Sequence, residues 1–203
     1  MHVIGLTGGI SSGKSTILKT LKSLGALIID VDKTAHLIME PDQPAWKELV
    51  DFFGAEILTS DHTISRPVLG KIVFNHPERM KKLNEITHPR VKEYLEKQML
   101  ELRQAHPSAV IILEVPLLYE AGMDQMCTQV WVVWVDNKTQ ISRLMYRDGI
   151  TSEEAKRKIA SQMSLDEKAR RADFVIDNTG TKESSIKLAT DFYRSFILND
   201  KTE

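Results

Sequence analysis

One cysteine, Cys127, serves a chain of 203 residues. It leaves no possibility of an internal disulfide and suits a reducing compartment, so the cytoplasm is the expected location. Charge of one sign is missing too: 27 basic against 28 acidic side chains leave a formal net charge of −1. That balance gives no electrostatic pull toward nucleic acid or a membrane surface. No apolar run approaches the roughly 20 residues that span a bilayer. The opening residues carry no basic segment and turn polar by Thr7, which argues against a secretory signal. In a chain that is not exported, the Asn137-Lys138-Thr139 sequon has no meaning. Low-complexity linkers and internal repeats are also lacking. What remains is a chain long enough for one α/β domain with an inserted subdomain. At this length roughly 70% of the unfolded surface is buried, with no need of a structural metal.

Three apolar, β-rich runs are present, HVIGLT (2–7), AVIILEV (109–115) and QVWVVWVD (129–136), with shorter ones at ALIID (26–30) and DFVIDN (173–178). They are continuously apolar rather than alternating, as strands covered on both faces of a parallel sheet should be. Helical stretches separate them at 14–24, at 138–148 with 151–163, and at 182–197. The alternation predicts an α/β fold with a doubly wound, five-stranded parallel sheet. About 80 residues lie between the second and third runs and read as helices: AWKELVDFFG (45–54), RPVLGKIVFN (66–75), PERMKKLNEI (77–86) and HPRVKEYLEKQMLELRQAH (88–106). Prolines 67, 77 and 89 fall at or near the expected helix starts, where a missing N–H does no harm. This block is expected to be a helical insertion on the sheet.

Gly8-Gly9-Ile10-Ser11-Ser12-Gly13-Lys14-Ser15 fits G-x-x-x-x-G-K-[ST], with a strand before it and the helix-forming TILKTLKSL after. Glycines let the backbone curl so that successive N–H groups face phosphate oxygens. A helix N-terminus adds partial positive charge. Lys14 is expected to reach the β and γ phosphates, and the Ser15 hydroxyl to ligate Mg²⁺. Ser11 occupies a position where a positive φ would strain any residue but glycine.

Several classes use such a loop. A GTPase switch needs N-K-x-D after a strand, but Gln140 takes the place of the acid in Asn137-Lys138-Thr139-Gln140. Asp51-Phe52-Phe53-Gly54 matches D-x-x-G, yet it closes an amphipathic helix rather than following a strand. A small-molecule kinase needs an acceptor-side carboxylate, cations around the transferring group and an element that excludes water. Asp30 ends the second strand and Asp32 lies just past it. The carboxyl ends of strands line the ligand crevice of such sheets, so Asp32 is the functional candidate and Asp30 the helix cap. A D-x-D metal site is a further reading of the same pair. Arg143 and Arg147 share a helix face, and TSEEAKRKI after them begins with a capping pattern. Two short helices bearing arginines would make a lid. Equally, basic residues on a helix are commonly a solvated face, which applies also to Lys168, Arg170 and Arg171. Glu114 ends the third strand, where it either supports Mg²⁺ through water or caps the strand. Another small-molecule kinase, such as one acting on nucleoside monophosphates, and a nucleotide-binding regulator without turnover stay open at this point.

TGGISSGKST, IIDVDKTAH, THP (87–89), VPLLYE (115–120), RLMYRD (143–148) and ADFVIDNTG (172–180) together resemble the dephospho-coenzyme A kinase family in order and spacing. The resemblance runs from residue 7 to residue 180. It implies a P-loop, nucleoside-kinase-like core at 1–31, 107–137 and 166–203, a helical CoA-binding insertion at 32–106 and a lid at 138–165. The implied reaction passes the ATP γ-phosphoryl group to the 3′-hydroxyl of the dephospho-CoA ribose, with Mg²⁺ accompanying ATP. Asp32 matches the family's base, and Lys14 stands with it as catalytic. Ser11, Ser12, Gly13, Lys14, Ser15 and Thr16 match its ATP-binding loop and Arg143 and Arg147 its lid arginines, while Gly8 and Gly9 join the expected ATP site through the G-x-x-x-x-G-K-[ST] motif itself. His36, His88, Pro116, Leu117, Leu118 and Glu120 match motifs near the acceptor. The implied partners are the small molecules ATP and dephospho-CoA, with the chain a monomer or weak homo-oligomer. Three positions depart from the usual pattern: Ser11 often reads glycine in relatives, His36 arginine and Glu114 aspartate.

Overall fold

The computed structural model describes residues 2–74 and 76–200. Asn75, the last residue of the RPVLGKIVFN stretch, lies outside them, as do Met1 and residues 201–203 at the ends of the expected core segments. The chain forms two compact units, one built from the residues up to Ile29 and from His106 onward, the other from Asp30–Ala105.

The first unit carries the sheet. Strands β1 (Val3–Gly8), β2 (Leu27–Asp30), β3 (Ile111–Glu114), β4 (Gln129–Trp134) and β5 (Phe174–Asp177) lie in the order β2-β3-β1-β4-β5. The sheet is parallel and the winding changes direction at β1. Every residue of β1 is buried, which is why the run is apolar throughout rather than alternating. The register sets Leu6 opposite Glu114 and Gly8 opposite Val133, so the carboxyl ends of β1, β3 and β4 finish near one another. Ligand crevices open at such a point.

Helix α1 (Lys14–Ser23) leaves that crevice and buries Ile17 and Leu21. It packs beside the C-terminal helix α9 (Lys182–Asp200). Between α9, β4 and β5 sits an aromatic cluster around Trp131, which is fully buried, with Phe192 at 5.0 Å, Phe174 at 5.5 Å and Phe196 at 6.2 Å. The hairpin of α6 (Asn137–Asp148) and α7 (Ser152–Ala160) follows β4. Gly149 ends α6 at φ 65°, and Thr151 with Glu154 forms a complete capping box at the start of α7. The stretch expected to be helical over 151–163 therefore stops at Ala160. Ser164 caps a further helix, α8 (Leu165–Arg171), by accepting from the Glu167 N–H, and that cap divides what periodicity alone reads as continuous.

The second unit contains α2 (Val31–Leu37), α3 (Pro44–Phe53), α4 (Arg66–Phe74) and α5 (Pro77–Ala105), with α2, α3 and α4 packed on α5. Gly54, at φ 85°, terminates α3, so Asp51–Gly54 is a helix end, as its apolar periodicity indicates. One expectation fails here. Pro89 does not start a helix; it lies inside α5, a single helix of 29 residues, and His88 is therefore mid-helix. Proline removes one N–H and crowds the preceding turn, at a cost of about 3 kcal/mol. Burial of Ile86, Val91 and Leu95 on both sides of Pro89 outweighs that cost, and Thr87 Oγ1 donates to the Leu83 carbonyl at 2.8 Å one turn back.

Replacing Trp131 by alanine empties the centre of the aromatic cluster. We expect a loss of roughly 3–5 kcal/mol of unfolding free energy, read from the urea midpoint at unchanged slope.

Candidate functional site

The loop between β1 and α1 has its backbone turned inside out. Ser11 lies at φ 59° and Gly13 at φ 91°. For a serine this left-handed conformation costs on the order of 1 kcal/mol, and the loop accepts it. Gly13 admits no side chain: a Cβ there would lie 2.1 Å from Asn178 Nδ2. At Gly8 a Cβ would lie 2.6 Å from Ser12 Oγ and 2.9 Å from the Val133 carbonyl. The outward-facing carbonyls find donors. Gly9 accepts from Ser12 N–H at 3.1 Å, and Gly13 from Thr16 N–H at 3.0 Å. Ile10 accepts from Gln140 Nε2 at 2.9 Å, and Ser12 from Asn178 Nδ2 at 2.7 Å. The Ile10 N–H donates to Gln162 Oε1 at 3.1 Å. The N–H groups of Ser11, Gly13, Lys14 and Ser15 have no hydrogen-bond acceptor among the described residues. Ser11 Oγ and Ser12 Oγ are likewise buried without a partner. Orphaned donors gathered around one concavity form an anion site.

That concavity, of roughly 440 Å³, is lined by Gly8 to Ser15 together with Glu114, Pro116, Arg143, Arg147 and Gln162. Lys14 Nζ donates to Glu114 Oε1 at 2.9 Å, with the two side chains 13% and 20% exposed. Glu114 thus partners the loop's lysine at the end of β3. Arg143 Nη2 donates to the Asn178 carbonyl at 2.9 Å. Arg147 instead contacts the adjacent Asp148 at 2.7 Å, and Lys158 of α7 reaches the same carboxylate at 3.0 Å. Hydrogen bonds from Arg147 and then Lys158 hold Asp148 down at about 2. Gln140, standing where a GTPase would carry an acid, braces the loop.

Pro116 borders the cavity, and its carbonyl accepts from Thr7 Oγ1 at 3.1 Å and from Lys168 Nζ at 2.7 Å. Lys168 is fully buried and pairs with Glu120 at 3.0 Å. Burial lowers its pKa, against the opposing pull of Glu120. Glu120 also accepts from the Met163 N–H at 3.0 Å, so its carboxylate faces the α7–α8 junction. Leu118 is fully buried near Gly5, whereas Leu117 is exposed.

In the helical unit, Asp30 caps α2 by accepting from Lys33 N–H at 3.1 Å. Asp32 stands in the first turn of α2 and borders a cavity of roughly 550 Å³ with His36, Arg66, Leu69 and Val73. Burial lowers the Arg66 pKa while the neighbouring Asp32 charge raises it. His88, whose pKa burial also lowers, opens on a separate groove beside Pro77, Met80 and Asn84. The structure thus brings Asp32 and His36 together and keeps His88 apart from them.

Gln140, Gln162, Asn178 and Arg66 escaped the sequence reading as site residues, and Lys168 enters it only among basic residues that commonly form a solvated face. The first three serve the loop through amides distant in sequence; Asn178 lies in the ADFVIDNTG stretch, and Gln140 in Asn137–Gln140, which enters only as a guanine-reading motif. Among the described residues no cluster of three or more His, Cys, Asp or Glu is placed to hold a metal. The Ser15 hydroxyl and the Glu114 carboxylate are hard oxygen donors that suit Mg²⁺, provided phosphate and water complete its shell.

A family model described as CoaE, dephospho-CoA kinase, matches residues 2–183. Dephospho-CoA kinase of Shouchella clausii is 44% identical over 188 residues, 93% of this chain and 95% of the relative. Among solved structures, TT1252 from Thermus thermophilus superposes with a TM-score of 0.81 at 31% identity, covering 96% of each chain. Dephospho-CoA kinase from Campylobacter jejuni gives 0.75 at 29% identity, covering 98% of each.

The buried pair yields a test of its own. Glu120→Ala strands a buried ammonium and should cost about 3 kcal/mol, the lower end for such pairs because Glu120 is partly exposed. Lys168→Met with Glu120→Leu should recover most of that loss in a urea titration.

Proposed function

The chain belongs to the dephospho-CoA kinase family, and we propose how its residues divide the transfer of the ATP γ-phosphoryl group to the 3′-hydroxyl of the dephospho-CoA ribose. The observation carrying this reading is the Gly8–Ser15 loop, where the carbonyls of Gly9, Ile10, Ser12 and Gly13 are bonded away from the concavity while the amides of Ser11, Gly13, Lys14 and Ser15 have no acceptor among the described residues. A triphosphate fills such a nest. Ser11 Oγ, Ser12 Oγ and Thr16 complete the loop's polar surface toward it, with Gly8 and Gly9 giving the backbone its close approach.

Lys14 exchanges Glu114 for the β and γ phosphates when ATP binds. Ser15 and, through water, Glu114 released from that pair are the residues that would hold Mg²⁺. When bound, the ion would supply neutralisation of the phosphate charge. Arg143 and Arg147 approach the transferring group from α6, and residues 138–165 act as the lid that excludes water.

Residues 32–106 receive the acceptor. Asp32 orients the 3′-hydroxyl and takes its proton late, since an aspartate of ordinary pKa near 3.9 matches a ribose hydroxyl poorly and the transition state is loose. His36 shares the Asp32 cavity and contacts the acceptor there. Pro116, Leu117 and His88 are assigned outer contacts; Leu118 and Glu120 support the Pro116 segment from within. The small-molecule substrates and single thiol suit a cytoplasmic enzyme, acting as a monomer or weak homo-oligomer.

Asp32→Ala should lower kcat by roughly 10²–10⁴ with ATP and dephospho-CoA; near-normal turnover would remove Asp32 from the mechanism. Lys14→Ala should cost about 3 kcal/mol in kcat/KM. With ADP release as the readout, dephospho-CoA should be phosphorylated while AMP, CMP and adenosine are not, and EDTA should stop the reaction until Mg²⁺ is restored.

A further inference from the structure

We propose that Asn178, just after β5, is a positioning residue for phosphoryl transfer that holds the phosphate loop and Arg143 in a single register. Its side chain and both of its backbone polar groups are engaged. Nδ2 donates to the Ser12 carbonyl at 2.7 Å, and Oδ1 accepts from Ser185 Oγ at 2.6 Å. The Asn178 N–H donates to the Trp134 carbonyl at 2.8 Å, and the Asn178 carbonyl accepts from Arg143 Nη2 at 2.9 Å. The residue is only 7% exposed. The two side-chain bonds fix which end of the amide faces the loop, because a carbonyl needs a donor.

Two consequences follow for an anion. First, turning the loop amides inward turns the Ser12 carbonyl outward into the interior, where leaving it unbonded costs about 1–3 kcal/mol. Asn178 supplies the missing donor and packs against the bare Cα of Gly13, where a Cβ would lie 2.1 Å from Nδ2. Second, the Asn178 carbonyl gives Arg143 a neutral partner. Arg143 lines the cavity with the loop and, among the described residues, has no carboxylate within ion-pair distance, in contrast to Arg147 on Asp148. The same residue therefore sets the loop that receives the phosphates and the cation that meets them.

This inference rests on the phosphate-loop reading above, and the experiment separates the two. Parent, Lys14→Ala, Asn178→Ala and Asn178→Asp proteins are compared by melting curve and by steady-state kinetics in ATP and dephospho-CoA. Asn178→Ala should lower kcat about 10²-fold, the scale of a 1 Å misplacement, while KM for dephospho-CoA stays put. Asn178→Asp keeps the shape and the Ser185 bond but loses the donor. It should be as impaired at neutral pH, and should regain activity relative to the parent as acidification protonates the carboxyl and restores a donor to Ser12. Combining Asn178→Ala with Arg143→Ala should cost less than the product of the single losses, because the two act as one unit. The inference is overturned if the Asn178 variants turn over normally while Lys14→Ala does not. It is also overturned if their deficit vanishes once activity is referred to folded protein, if the Asn178→Asp pH profile parallels the parent's, or if the losses with Arg143→Ala multiply. Normal turnover by Lys14→Ala would instead sink the underlying phosphate-loop reading.

Discussion

A backbone that points its N–H groups at an anion must point its carbonyls somewhere else, and those carbonyls still need donors. Most of what surrounds Gly8–Ser15 answers that demand. Gln140 from α6 satisfies Ile10, Asn178 after β5 satisfies Ser12, and turns within the loop satisfy Gly9 and Gly13. The braces come from elements that the sheet order sets beside β1: β4 leads into α6 and β5 leads into Asn178. The fold therefore does more than present a loop at a crevice; it delivers donors to the back of it.

Charge around the loop is handled by the same logic. Lys14 and Glu114 form a short, mostly buried pair that keeps an ammonium at hand without leaving it unpaired. Deeper in, Lys168 is wholly buried and donates to Glu120, which also accepts from Met163 N–H, and to the Pro116 carbonyl, which also accepts from Thr7 Oγ1. A buried pair of that sort adds little net stability against an apolar replacement. Its use is geometric: it ties the segment after β3 to α8, while Met163 N–H ties Glu120 to the α7–α8 junction and Gln162 next to it reaches Ile10. The cavity wall at Pro116 and the loop are thereby fastened to a common strut.

How much of this could be read from the chain divides along one physical line. The strands were legible because both faces of a parallel sheet are buried, which writes continuous apolar runs. The loop was legible because glycine, lysine and serine are each required at fixed offsets. Asp30 as a cap and Asp32 beyond it followed from where the strand ends. Asn178, Gln140 and Gln162 were not legible as loop braces, since a single neutral amide carries no periodicity and its partner lies more than 100 residues away. Pro89 misled because local propensity marks proline as a helix start, while the burial of Ile86, Val91 and Leu95 carries α5 through it. Lys168 misled in the opposite sense: a basic residue near a strand reads as solvated, and only the packed structure reveals a partner waiting inside.

Ser11 shows why function rather than propensity explains the remaining oddity. Glycine would hold φ 59° without strain, yet the chain places a serine there and leaves its hydroxyl buried with no acceptor. In a stable interior such a donor is a defect that costs on the order of 1–3 kcal/mol. Ser12 repeats the defect one residue on, and the amides of Gly13, Lys14 and Ser15 extend it. Defects scattered through a core would weaken it without compensation; defects that share one concavity with Lys14 and Arg143 could all be relieved by one acceptor-rich anion, as the proposed function requires. On the function proposed above, the free energy withheld from folding at this loop would be recovered on binding, which is why the least satisfied part of the backbone is the place proposed for the nucleotide's phosphates.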